Sequence, residues 1–133
     1  MTTVHHLALN CRDMRAQEVF YSRHFGFRRA RVINAGTPQE FIMLRLGAMC
    51  LELFQVNPAD AAARGGEQPV GAKHFAFHVD DIEAAVRALN ADGIATDKII
   101  DCAKLLPGLK VCFFNDPEGN RLELMQGWRD EGS

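Results

Sequence analysis

Apolar and polar positions in this chain fall into short alternating runs, interrupted twice by stretches of helical period. Val4 to Cys11 alternates and predicts a strand. Asp13 stands as a candidate N-cap, and Met14 to Phe25 predicts a helix with Val19, Phe20 and Phe25 on its buried face. Gly26 ends it. Phe27 to Ala35 predicts a second strand and Gly36-Thr37-Pro38 a turn. Glu40 to Leu46 and Met49 to Gln55 predict two more strands around Gly47. Asn57 to Gly71, with its prolines, glycines and alanine run, reads as a long connection with room for a helical turn in Pro58 to Arg64.

The order then repeats. Lys73 to Val79 predicts a strand, and Asp80-Asp81 opens a helix through Ile82, Val86 and Leu89 that stops at Gly93. Ile94 to Ile100, Leu109 to Asn115 and Arg121 to Gln126 predict three strands, the last two joined by a turn at Asp116-Pro117-Glu118-Gly119-Asn120. The halves also match by residue. His6-Leu7-Ala8-Leu9 aligns with His74-Phe75-Ala76-Phe77, and Asp13-Met14 with Asp81-Ile82. Leu51-Glu52-Leu53-Phe54-Gln55 aligns with Leu122-Glu123-Leu124-Met125-Gln126. Two matches in the same order, between the same elements, indicate an internal duplication of strand–helix–three strands.

Strand alternation assigns the faces. His6 shares a face with Ala8 and Asn10, opposite Leu7, Leu9 and Cys11. His74 goes with Ala76 and His78, Glu52 with Cys50 and Phe54, and Glu123 with Arg121 and Met125. A glutamate between two leucines on a strand is, alone, most often the solvated side of an antiparallel sheet. A lone strand histidine is more often a satisfied core or surface residue than a ligand, and that reading stands for His5 and His24. The duplication changes the weighting. It puts two imidazoles and two carboxylates at equivalent positions facing one trough, where burial without a cation would be costly. Two histidines and two glutamates suit a divalent first-row metal, with positions left for water or substrate. Asn10, His78, Cys50 and Arg121 face the same trough. The first two and Arg121 are candidate substrate contacts, and Cys50 is read as packing. Arg28, Arg29 and Arg31 could face phosphates, but read first as a solvated strand edge.

Composition narrows the classes. The 133 residues are 47% hydrophobic and 24% charged, which is ordinary for a globular chain. The net charge of −2 gives no basic excess, so no nucleic-acid or membrane partner is expected. The four cysteines, Cys11, Cys50, Cys102 and Cys112, form no C-x-x-C pair. With no signal-peptide pattern at the start and no membrane-length apolar run, a reduced cytoplasmic setting is expected.

On these residues the sequence resembles the vicinal oxygen chelate superfamily, the glyoxalase/bleomycin-resistance/dioxygenase family, over nearly its whole length. The matching pieces are His6 to Asp13, Phe20-Tyr21, Phe25-Gly26-Phe27, Leu51-Glu52-Leu53 and His74 to Asp80. Asp116 to Leu124 adds the D-P-x-G-x-x-Φ-E-Φ pattern, the most specific of them. The resemblance implies an α+β fold of two βαβββ modules forming a cupped eight-stranded mixed sheet, with helices on the convex face. It implies a single domain over 1–133: a first module at about 3–56, a linker at about 57–71 and a second module at about 72–127. It places metal ligands at His6, Glu52, His74 and Glu123. The metal would be zinc, nickel, cobalt, manganese or iron, and Glu52 or Glu123 the catalytic base. The implied activity is a divalent-metal-dependent lyase or isomerase, glyoxalase I-like or methylmalonyl-CoA epimerase-like. It would abstract a proton next to a carbonyl and form a metal-stabilised enediolate. Alternatives of the same fold are a small-molecule-binding or resistance protein and a ring-cleaving dioxygenase. Asn10 stands where glyoxalase I usually carries a basic residue, and glutathione and coenzyme A both stay open as substrate carriers. Short members of the family usually form homodimers, which is the expectation here.

Overall fold

Asp13 and Asp81 begin the two helices in the same way. Each lies in extended backbone, and its carboxylate accepts a hydrogen bond from the amide three residues on, Ala16 or Ala84, at 3.0 Å. In this computed structural model, which describes residues 1, 3–61 and 72–131, the helices sit in two successive strand–helix–three-strand modules. The first runs β1 (His6–Cys11), α1 (Met14–Phe25), β2 (Arg28–Ile33), β3 (Phe41–Leu46) and β4 (Met49–Gln55). The second runs β5 (Phe75–His78), α2 (Ile82–Ala91), β6 (Ile100–Asp101), β7 (Lys110–Asn115) and β8 (Arg121–Gln126). The chain divides into two compact units, Met1–Arg64 and Gly65–Ser133.

Each unit has its own four-stranded mixed sheet, ordered β1-β4-β3-β2 in the first and β5-β8-β7-β6 in the second. The first strand pairs parallel with the last, and the other pairings are antiparallel. The α+β class and the βαβββ modules are as the sequence implied. The single eight-stranded sheet is not: the described strands close their ladders inside each module, giving two sheets of four.

Each core lies between its helix and one face of its sheet. In the first unit Cys11, Met14, Phe20, Tyr21, Ile42, Leu44, Leu51 and Leu53 are buried. In the second, Ile82, Leu89, Cys112, Phe114, Leu122 and Leu124 are. Burying one large apolar side chain contributes roughly 1.5–3 kcal/mol, so these faces fix which side of each sheet stays open. The glutamines that end the repeated motif tie helix to sheet. Gln55 Oε1 accepts from the Met14 amide at 3.0 Å, and Gln126 Oε1 accepts from the Ile82 amide at 2.8 Å. Each satisfies an amide of the first helical turn that has no partner within the helix.

Three expectations shift. Val19 is exposed, because the buried stripe of α1 runs through Met14, Gln17, Phe20 and Tyr21 and position 19 lies about 200° around from 17. The predicted strand at Ile94 to Ile100 shrinks to β6. Thr96 bridges Phe114 and Ile100 pairs with Val111, so the register slips by one residue and the ladder breaks between them. Residues 62–71 of the predicted connection lie outside the described residues. No helix among the described residues is long and apolar enough to cross a membrane.

Candidate functional site

The duplicated histidine and glutamate take the same relative position in each unit. Ala8 pairs with Glu52 across β1 and β4, and Ala76 with Glu123 across β5 and β8. The histidine two residues before each alanine is therefore a diagonal neighbour of the glutamate on the open face. His6 Nε2 lies 3.6 Å from Glu52 Oε1, and His74 Nε2 lies 3.9 Å from Glu123 Oε2. Helix-side leucines flank both glutamates and set their direction: Leu51 and Leu53 are fully buried, and so are Leu122 and Leu124. Glu123 itself is only 7% exposed. Among the described residues no arginine or lysine pairs with Glu52 or Glu123.

Each histidine is oriented by a neighbour. His5 Nδ1 lies 2.9 Å from His6 Nδ1, so one of the two donates and the Nε2 of His6 is left facing Glu52. The His74 ring packs against Phe113 in a T-shaped contact, with ring centroids 5.3 Å apart. His5 is the residue that sequence reasoning set aside. Its signal was the doublet His5-His6, which reads as noise until the structure shows the second ring turned to the first.

The chemistry of the donors fits a divalent cation. Neutral imidazole nitrogen and ionised carboxylate oxygen are both ligand types for zinc, nickel, manganese and iron. Two donors at about 2.1 Å from one ion stand roughly 3.0–3.6 Å apart, so pairs at 3.6 and 3.9 Å are near chelating distance. Each unit supplies two such donors, and among the described residues no three His, Cys, Asp or Glu side chains gather into a metal-holding group.

The three candidate substrate contacts are placed as alternation predicted. Asn10 is on the open face of β1, in line with Phe54 and Phe41, whose rings stack at 4.7 Å. His78 lies across from Met125. Arg121 is engaged: its guanidinium forms an ion pair with Asp97, bonds Asn115 Oδ1 at 3.3 Å and lies over the Phe113 ring at 5.3 Å. The Arg121–Asp97 pair borders a half-open pocket of about 280 Å³ that Ile94, Thr96, Phe114 and Asn115 also line.

Two motif residues prove structural. Asp116 is buried and holds the turn before β8 by accepting from the Glu118 and Asn120 amides at 2.9 Å and from Asn120 Nδ2 at 2.8 Å. Cys50 is fully buried, as expected of packing. None of the four cysteines forms a disulfide, and burial pushes the Cys112 thiol up from its ordinary value, which leaves it inert.

Comparison with known proteins identifies the fold. The sequence model of the Glyoxalase/Bleomycin resistance protein/Dioxygenase superfamily matches residues 3–124. The uncharacterized protein YwkD of Bacillus subtilis (strain 168) is 30% identical over 132 residues, spanning 95% of this chain and 98% of that one. The crystal structure of a glyoxalase family protein from Enterococcus faecalis superposes with a TM-score of 0.77 at 32% identity, covering 92% of this chain and 96% of that one. A lactoylglutathione lyase structure from Agrobacterium tumefaciens shares the fold, with a TM-score of 0.68 at 24% identity over 96% of this chain and 95% of that one.

Proposed function

The chain belongs to the Glyoxalase/Bleomycin resistance protein/Dioxygenase superfamily, and from that premise we propose that it is a divalent-metal-dependent lyase or isomerase. Its ligands are His6, Glu52, His74 and Glu123. One observation carries the reading: a diagonal His–Glu pair recurs at the same register on the open face of both sheets, and neither carboxylate has an arginine or lysine partner among the described residues. Glu123 is enclosed, and enclosed carboxylates are ordinarily paired with a cationic side chain or bound to a metal. A bound divalent ion would supply that charge and would also polarise a substrate carbonyl.

The chain's own residues then divide the work. His6 and His74 present Nε2 and keep it aimed, through His5 in one unit and Phe113 in the other. Glu52 or Glu123 takes the proton from the carbon next to the carbonyl. The C–H bond breaks, the proton goes to a carboxylate oxygen, and the same carboxyl returns it to the neighbouring carbon or the opposite face. The carboxylate is a weak base for that proton, so it must act on a carbonyl already polarised. Asn10, His78 and Arg121 orient the substrate from the same faces. The protein works as a cytoplasmic homodimer. A hemithioacetal and an acyl thioester are the two carbonyl substrates of this reaction class that we propose.

The test is a turnover panel: metal-loaded protein with hemithioacetals, acyl-CoA thioesters and catechols. Metal-dependent conversion of either of the first two, with exchange of the proton next to the carbonyl for solvent deuterium, supports the proposal. Ring cleavage of a catechol, or metal uptake with no turnover of any class, contradicts it.

A further inference from the structure

The arginines of β2 are sorted onto the two faces of the sheet. β2 pairs with β3 through Arg28↔Arg45 and Arg29↔Leu44, and then, past a bulge at Ala30, through Arg31↔Met43. Strict alternation would have put Arg29 and Arg31 on one face. The extra residue resets the alternation, so Arg31 joins Arg28 on the open face while Arg29 turns to the helix side. There Arg29 makes two hydrogen bonds of 2.6 Å with the Glu18 carboxylate of α1. Arg45 lies directly across from Arg28, on the same open face. Arg28, Arg31 and Arg45 thus form a cationic strip, and among the described residues no carboxylate pairs with any of them.

Like charges directly opposite each other on a sheet are destabilising, so an anion bound between Arg28 and Arg45 would relieve their repulsion. The strip shares its face with Glu52. The row from Glu52 crosses Met43 to Arg31, two strand spacings or about 10 Å. Beside that row, Phe41 and Phe54 stack to form an apolar floor. Guanidinium is the side chain best suited to hold a phosphate or carboxylate by two parallel hydrogen bonds.

We propose that Arg28, Arg31 and Arg45 form a subsite for an anionic tail of the substrate, a phosphate or a carboxylate carried about 10 Å from the reacting carbonyl. This rests on the reading of His6 and Glu52 as the reacting end, and it narrows the substrate to a carbonyl compound on an anionic carrier.

The experiment titrates the metal-loaded chain with ADP as the phosphate probe and glutathione as the carboxylate probe, using calorimetry and amide chemical shifts. At least one probe binds, with shifts concentrated in residues 28–33 and 41–46, and the two arms say which anion is preferred. The double variant Arg31→Gln with Arg45→Gln weakens that binding by about tenfold or more, and lysine at both positions restores part of it. Arg29→Gln, on the other face, leaves it within about twofold. The proposal is overturned if neither probe binds up to about 10 mM, or if Arg29→Gln costs as much as the double variant. Metal uptake is measured on every variant. Anion binding that survives while Glu52→Gln loses no metal sinks the reading of the reacting end alone. Metal uptake that survives while no anion binds sinks the strip alone.

Discussion

Replacing Glu123 with glutamine keeps the shape of the side chain and removes one charge, one ligand and one candidate base. Without metal, the protein loses nothing it depends on. The carboxylate is largely enclosed, has no arginine or lysine partner among the described residues and lies 3.9 Å from His74 Nε2. A neutral amide there leaves the metal-free melting temperature unchanged or raises it. With metal the result reverses. An ion at one hundred times its Kd stabilises the parent by about 2.7 kcal/mol. For 133 residues the unfolding entropy is about 280 cal/mol/K, so the melting temperature rises by roughly 10 °C. Outer-shell partners of a metal are worth about 10–100-fold in affinity, and a direct ligand at least the upper end of that. At the same metal concentration the variant then sits near its own Kd. It keeps about 0.4 kcal/mol of stabilisation, or roughly 1–2 °C. Thermal melts of both proteins with and without zinc or nickel read this directly. A variant with the parent's metal-induced shift would refute the assignment of Glu123. So would a metal-free variant that melts far below the metal-free parent, because the carboxylate would then be structural.

Gln55→Ala leaves the Met14 amide and the carbonyls of Arg12 and Val56 without their side-chain partner, whereas Gln126→Ala frees the Ile82 amide. Denaturant melts should show a loss of about 2–3 kcal/mol for the first and about 1 kcal/mol for the second. Glu18 is held below the usual carboxylate range, first by its hydrogen bond from Arg29 and then by the charges of Arg29 and Arg15. That contribution is present above the unfolded pKa and is lost as pH falls through the lower folded value. Because Arg29 is about half exposed to solvent, the contribution amounts to less than ~1 kcal/mol, and Arg29→Gln should remove that part of the acid slope in melts taken between neutral pH and acid. A His6→Ala chain refolded together with a His74→Ala chain should regain no activity if each site is built from one chain. Recovered activity in the mixture would show a site shared between chains.

The parts that rest on local rules were legible in the sequence. Capping aspartates at 13 and 81, alternation in β1, β4 and β8, and the turn at Asp116 each depend on a few adjacent residues, and each formed where expected. The repeat gave the equivalence of His6 with His74 and of Glu52 with Glu123, and the pairing register bears that equivalence out. What required distant contacts was not legible. Gln55 and Gln126 were visible as repeated residues, but their bonds join positions 41 and 44 residues apart. Ala30 has no propensity that announces a bulge, so the sorting of Arg28, Arg29 and Arg31 appears only in the pairing with β3. The exposure of Val19 follows from which stripe of α1 the sheet selected, and the sheet selected one that includes polar Gln17. β6 shortens because a one-residue slip against β7 costs the ladder, which composition does not show.

Equilibrium dialysis of the purified chain against zinc or nickel, followed by X-ray absorption at the metal edge, tests the ligand assignment most directly. Saturation is expected at one ion per set of His6, Glu52, His74 and Glu123. The edge spectrum should show imidazole nitrogen and carboxylate oxygen at about 2.0–2.2 Å with no sulfur neighbour, and that signal should be lost in Glu52→Gln and Glu123→Gln. Sulfur at about 2.3 Å, or saturable uptake that both glutamine variants retain, would contradict it.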